Sequence, residues 1–375
     1  MPHIVVDARS VHGGKSGIGN YVHALVRHLV PIAKDYRFTL LRHPSRQSPI
    51  VSHELVRELT VAGDNKSVRT VFLAGRHCPR DADLFDGPAD IVPLGLPCPF
   101  VVTLHDMMWV EAPQLASSFL PTRIANGLWY RSNFRRTSRT ARRIIAISQA
   151  TSDAIGRVFP QDHHKVRVVH HGISRDDYNA EVSGPRERLN DLVSAGVRFS
   201  LIVGQGSPYK NHPGILRAFL EATADDPMHK LVIVRRFSRI DREMNALLAA
   251  EAVRRKIILL SFVPDEQLLA LYCHASILLF ASHYEGFGLP ALEAMRLGTP
   301  VLASTYPAVT EIIGDGALHG VSTEQADIVR QIRRLDSDTA LRSQLIERGK
   351  QRCEQFRWEN AAQQTLAVYR EAPSG

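Results

Sequence analysis

Two glutamates, Glu285 and Glu293, are separated by seven residues in the run Glu285-Gly286-Phe287-Gly288-Leu289-Pro290-Ala291-Leu292-Glu293. A carboxylate accepts hydrogen bonds and donates none when ionised, so a fixed pair suits a ligand with hydroxyl groups at two points along its length. Between them, two glycines let the backbone approach a ligand closely, and the amides at a helix start favour a phosphate or diphosphate. Carboxylates flanking a diphosphate cradle describe the needs of a nucleotide sugar.

The elements around the run must position these groups. Ile277-Leu278-Leu279-Phe280-Ala281 predicts a buried parallel strand, and Pro290 suits the first position of a helix, which leaves Gly286-Phe287-Gly288-Leu289 as the turn and Glu293 in the first helical turn. The continuation Ala294-Met295-Arg296-Leu297-Gly298-Thr299-Pro300-Val301-Leu302-Ala303-Ser304 closes that helix with glycine and returns to a strand. Taken alone, each glutamate is an ordinary loop or helix-start acid. The combination is specific, and here the chain resembles the retaining glycosyltransferases of family 4, whose E-x7-E element reads much like residues 285–293. The resemblance spans nearly the whole chain, strongest over Val263–Ile313 and weakest over Pro44–Asp90. It implies an α/β protein of the GT-B fold, with two facing Rossmann-like domains, a cleft between them and a C-terminal helix crossing back to the first.

Other turns at strand ends fit this frame. Arg198–Val203 reads as a strand running into Gly204-Gln205-Gly206-Ser207-Pro208-Tyr209-Lys210, and Lys210 near the following helix start suits a phosphate as a point charge. Family members often carry an arginine at the position of Gln205, so a second cation is missing there. Arg235 or Arg236, after the strand Leu231–Val234, is the alternative source. The strand Phe100–Leu104 delivers His105-Asp106 at its carboxyl end, where open α/β sheets place ligands. His12-Gly13-Gly14-Lys15-Ser16-Gly17-Ile18-Gly19, between the strand His3–Ala8 and a helix from Gly17 to Ile32, is another glycine-rich turn that matches no standard phosphate-loop pattern. Phe262-Val263-Pro264-Asp265 resembles the family's loop beside the nucleobase.

The resemblance then implies roles. His105, Lys210 and Glu285 are the catalytic candidates; Gly14, Gly17, Gln205, Arg235, Val263, Gly286, Phe287, Gly288, Leu289 and Glu293 are candidates for holding the donor, with Glu293 on the nucleotide ribose and Glu285 on the transferred sugar. No protein nucleophile is named, and front-face displacement and double displacement both stay open. No metal or cofactor is expected beyond the donor itself, and Asp81-Ala82-Asp83 is read as a chance match to a metal-binding D-x-D.

Composition agrees. The 375 residues, 44% hydrophobic, suffice for two α/β domains, expected at 1–175 and 197–357 with a linker at 176–196 and a returning helix within 358–375. Further strands are expected at Phe38–Leu41, Arg143–Ile147, Val166–Val169 and Ile257–Leu260, and helices over Ser337–Arg352 and Asn360 to Glu371. The four cysteines form no C-x-x-C pair, and no apolar run approaches the roughly 18 residues of a membrane span. A cytoplasmic protein is expected, possible partners including the inner face of the membrane. The net charge of +8 attracts phosphate in some form. Its densest block, Arg131, Arg135, Arg136, Arg139, Arg142 and Arg143, reads as a helix that is either solvated or set against anionic lipid. No nucleic-acid motif accompanies the charge, and nothing in the sequence sets the oligomeric state.

Across its whole length the sequence looks most like bacterial enzymes that extend O-antigen or exopolysaccharide units on a polyprenyl-diphosphate carrier. Mannosyl transfer from GDP-mannose is therefore the expected activity. A UDP-sugar donor, or a catalytically silent GT-B subunit partnering another glycosyltransferase, are the alternatives.

Overall fold

The computed structural model describes residues 1–12, 17–63, 67–173, 197–235, 242–261, 263–321 and 323–372. Gly14, Arg236 and the expected linker at 176–196 lie outside the described residues. The chain divides into two compact units, one made of Met1–Ala112, Ile124–Gly172 and Phe356–Gly375, the other of Pro113–Arg123 and Ile173–Gln355.

The first unit holds strands β1 (His3–Asp7), β2 (Arg37–Arg42), β3 (Val56–Thr60), β4 (Leu84–Gly87), β5 (Phe100–Leu104), β6 (Arg143–Ala146) and β7 (Val166–Val168). All pairings are parallel, in the order β3-β2-β1-β4-β5-β6-β7. The chain steps outward from β1 to β3, then returns to β4 on the other side of β1. This reversal makes a switch point between β1 and β4, and the carboxyl ends of strands at such a point open a natural ligand crevice. The helix Gly17–Ile32 buries Tyr21, Val22, Leu25, Val26 and Leu29 against the sheet, the stripe that its sequence periodicity prescribes.

The helix Trp358–Arg370 belongs to this first unit, as the resemblance implied. It shares an apolar cluster with the Gly17–Ile32 helix through Trp358, Ala361, Ala362 and Leu366. Two polar fastenings anchor its end. Tyr369 donates its hydroxyl to Asp86 Oδ2 at 2.7 Å, and Glu371 is ion-paired with Arg143 at 3.0 Å and Arg167 at 2.8 Å. At the other end, a Cβ added to Gly172 would lie 2.2 Å from the backbone nitrogen of Trp358, so only glycine permits this close crossing of chains.

The second unit repeats the plan with β8 (Phe199–Val203), β9 (Lys230–Val234), β10 (Ile257–Leu260), β11 (Ile277–Phe280), β12 (Val301–Ser304) and β13 (Leu318–Val321) in the order β10-β9-β8-β11-β12-β13. Its switch point lies between β8 and β11. The buried strands are runs of Val, Ile and Leu because helices cover both faces of a parallel sheet.

Two expectations need correction. Pro290 is the second residue of the helix Leu289–Arg296, because Leu289 is already helical; this puts Glu293 fifth, in the second turn, beyond the strongest part of the dipole field. The arginine-rich helix runs from Leu120 to Thr140, so Arg142 lies outside it and Arg143 opens β6, where the apolar run Ile144-Ile145-Ala146 takes over. The Asp81-Ala82-Asp83 carboxylates have structural partners: Asp81 pairs with Arg37 at 2.6 Å, and Asp83 accepts from the His3 backbone N–H at 2.7 Å.

Candidate active site

The switch point of the second unit brings together two turns that are far apart in sequence. After β8 the chain passes Gly204, Gln205 and Gly206 into a short turn over Pro208–Lys210, then Asn211 in the left-handed region at φ 53° caps the helix His212–Ala222. After β11 it passes Ala281 to Gly288 into the helix Leu289–Arg296. The turns are stitched together by His283 N–H donating to Tyr209 O at 2.7 Å and Asn211 Nδ2 donating to Ala281 O at 3.2 Å. The third link is an ion pair. Lys210 Nζ donates to Glu285 Oε1 at 2.7 Å, with only 10% and 8% of the two side chains exposed.

The Lys210 ammonium also lies 5.2 Å from the ring centres of Tyr209 and Phe280, whose negative faces favour a cation. Arg235, at the end of β9, is buried and lays its guanidinium over Gly206, so that a Cβ there would sit 1.9 Å from Nη2. His212 shares this surrounding. Burial, then Arg235, then Lys210 push its imidazole well below the usual histidine range, which keeps it neutral. The neutral ring sits near two cations without adding a third. Gln205, by contrast, is exposed at the turn's tip.

Gly288 has φ 111°, a conformation that L side chains rarely adopt, and no side chain caps the helix it precedes. Phe287 is buried. Glu293 is half-buried, and its Oε2 accepts from the Tyr272 hydroxyl at 2.9 Å, which fixes the carboxylate on its helix. The helix closes with paired bonds from Thr299 N–H to Ala294 O at 2.9 Å and Gly298 N–H to Met295 O at 3.1 Å, Gly298 being left-handed at φ 80°. Val263 is buried just before the Asp265–His274 helix, which carries Tyr272.

Two of the described candidates belong to the first unit. His105 is buried at the end of β5; its backbone N–H donates to Asp90 Oδ1 at 2.8 Å and its Nε2–H to Pro88 O at 2.9 Å. That carbonyl fixes the tautomer with the proton on Nε2 when the ring is neutral. Tyr21 meets the His105 ring edge-on at 5.0 Å and stacks on His171 at 4.4 Å. Gly17 begins its helix with nothing within 4 Å of where a Cβ would stand, so packing does not demand glycine there.

The second unit thus brings Lys210, Glu285, Arg235 and the turn 286–289 together at its switch point, with Glu293 on the helix that leaves it. Sequence reading missed Asn211, His212 and Tyr272. Their signal was available only in part: Asn211 and His212 adjoin Lys210, whereas Tyr272 lies on a helix whose pairing with Glu293 no local pattern displays.

Two parallel sheets, each with the strand order of a nucleotide-binding fold, place this protein in the GT-B class. Solved structures share the architecture over nearly their full length. The sucrose-phosphate synthase of Thermosynechococcus elongatus matches with a TM-score of 0.73 at 19% identity, covering 99% of this chain and 98% of that one. HepE of Anabaena, in complex with UDP and glucose, matches with a TM-score of 0.67 at 17% identity, covering 99% of each chain. The family described as glycosyl transferases group 1 matches residues 189–352, and glycosyltransferase family 4 matches residues 15–177. The chain belongs to the family 4, group 1 glycosyltransferases. Among curated relatives, the O-antigen chain mannosyltransferase B of Escherichia coli is 28% identical over 232 residues, and the MMP alpha-(1->4)-mannosyltransferase of Mycolicibacterium hassiacum 29% identical over 243. These matches cover 62% and 64% of this chain, and they span only 61% and 56% of the relatives' own length.

Proposed function

We propose that this chain transfers a hexose, with retention at the anomeric carbon, from a nucleotide diphosphate sugar to a glycan or polyprenyl-diphosphate-linked acceptor in cell-surface polysaccharide synthesis. The observation that carries the reading is the Lys210–Glu285 pair across the switch point, because it sets a cation and a hydroxyl acceptor side by side at the mouth of a diphosphate-favouring turn. In this proposal Lys210, Arg235 and the amides of the turn 286–289 stabilise the charge that develops on the leaving diphosphate. Glu285 holds the transferred sugar and Glu293 the ribose. Cationic and amide groups fill the place of a metal ion, so no cofactor is invoked. Arg235 supplies the cation that Gln205 does not.

GDP-mannose is the proposed donor, supported by the two mannosyltransferases among the relatives. A UDP-sugar is the second reading, favoured by the UDP and glucose of the HepE structure. Thermal melting of the purified chain with GDP, UDP, ADP and dTDP and their sugar conjugates separates these, since a ligand that binds only the native state raises its melting temperature. The expected result is a shift with GDP and GDP-mannose, together with mannose release or transfer. A shift confined to UDP compounds would replace the donor; no shift and no turnover with any of them would favour a catalytically silent subunit.

A further inference from the structure

The helix Leu120–Thr140 has an inward side built from Asn133, Phe134, Thr137 and Ser138, all buried. Arg136 is drawn to that side. Its Nη2 donates to Val92 O at 2.5 Å, and burial pushes its guanidinium below the usual arginine range. The outward side is of another kind. Ile124, Leu128, Arg131, Arg135 and Arg139 follow one another at steps of four, three, four and four residues, which puts them on one stripe of the helix. Ile124 is 56% and Leu128 66% exposed, and the three arginines are exposed as well.

A solvated helix face explains charged residues but not two large aliphatic side chains in line with them. Among the described residues, Arg131, Arg135 and Arg139 also have no ion-pair partner, in contrast to Arg143, which Glu371 holds. A stripe that is apolar at one end and cationic along the rest has the composition of a helix lying in a bilayer interface, the aliphatic groups entering the headgroup region and the arginines meeting anionic lipids. The absence of acidic partners on the stripe argues for an anionic occupant.

We infer that Ile124, Leu128, Arg131, Arg135 and Arg139 form a docking surface for an anionic lipid bilayer. The stripe goes beyond the donor-site reading and does not depend on which sugar is transferred. Lipid attraction near a surface is about fivefold in affinity per arginine, so removing three charges should weaken binding on the order of a hundredfold.

The test is flotation of the full chain with phosphatidylcholine vesicles, with and without phosphatidylglycerol, at low and high salt. The expected result is binding to the phosphatidylglycerol vesicles alone, lost in Arg131→Gln/Arg135→Gln/Arg139→Gln and retained in a charge-matched control, Arg57→Gln/Arg69→Gln/Arg254→Gln. Ile124→Ser/Leu128→Ser should lose the fraction of binding that survives high salt. Unchanged melting temperatures show that each variant is folded. Equal flotation of wild type and both stripe variants, or none by the wild type, overturns the proposal, as does a dimer that the stripe variants convert to monomer, which would make a second copy the occupant. Because no donor or acceptor is present, either result leaves the donor-site reading to its own test.

Discussion

Lys210 and Glu285, 75 positions apart in the chain, meet at 2.7 Å because the strands whose following turns carry them, β8 and β11, are neighbours at a reversal of strand order. Each holds the other in place before any ligand arrives. Burying either charge alone is costly, so the pair must be kept or lost together.

Glu285→Gln and Lys210→Met should therefore each lower stability by about 3 kcal/mol, and the double variant by distinctly less than the sum. Urea denaturation of the four proteins gives the coupling. Strict additivity would mean that the two side chains do not sense each other in solution. In the transferase assay Glu285→Gln should lose roughly a hundredfold or more in kcat while remaining folded, the scale of removing one preorganised polar group from a reacting centre. Full activity in that variant would remove Glu285 from the site.

Gly206→Ala is a cleaner probe of Arg235. Its new methyl would strike the guanidinium end of a flexible side chain, not backbone, so melting should move little while Arg235 is displaced. Affinity for the donor nucleotide should fall about tenfold, the value of one charge-assisted contact. Calorimetric titration with the nucleoside diphosphate reads this directly; unchanged affinity would mean that Arg235 does not contact the phosphates.

Gly172→Ala tests the chain crossing at Trp358. With the intruding methyl 2.2 Å from one backbone atom and 2.5 Å from another, the helix must shift as a body. A loss of about 2–4 kcal/mol is expected, in the range of severe overpacking. A wild-type melting curve would show that the segment beginning at Phe356 is not held against Gly172.

Asp86 gives the fold a pH dependence. Burial pushes its carboxyl up from 3.8 to about 7, against the hydrogen bond from Tyr369, which lowers it; nearby Asp7 raises it further. From about pH 4 to 7 the folded state keeps a proton that the unfolded state releases, so stability falls as pH rises through this window and is level above it. The gap sets an upper bound of about 4 kcal/mol. Asp86→Asn keeps an acceptor for Tyr369 and removes the titration, so its melting temperature should gain on the wild type as pH rises from 4 to 7. A constant difference would show that Asp86 ionises at its ordinary pH in the fold.

Much of this architecture was legible because parallel strands covered on both faces are written as unbroken apolar runs. Phe100–Leu104 and Ile257–Leu260 were bounded to the residue, as was the Gly17–Ile32 helix. β3 was missed because Val-Arg-Glu-Leu-Thr is an edge strand with a largely wet surface, and β4 because Leu-Phe-Asp-Gly is four residues long with an acid inside it. That acid is buried only because Tyr369 arrives from the far end of the chain, a partnership with no local trace. Lys210 and Glu285 were both singled out as candidates, yet for separate tasks, since side-chain pairing across a switch point follows from strand order and not from spacing. The arginine block was visible, but which of its members turn outward depends on helical phase and on where the helix stops.

The position of the Trp358–Arg370 helix also orders events during synthesis. Domains usually fold as they leave the ribosome, the earlier one first. Here the earlier sheet waits for a helix made after the whole second sheet, so Tyr21 and His171 meet Trp358, and Asp86 meets Tyr369, only once the Trp358–Arg370 helix has been translated. The unit begun first is finished last, and the second can be complete while its predecessor still exposes an unfilled groove.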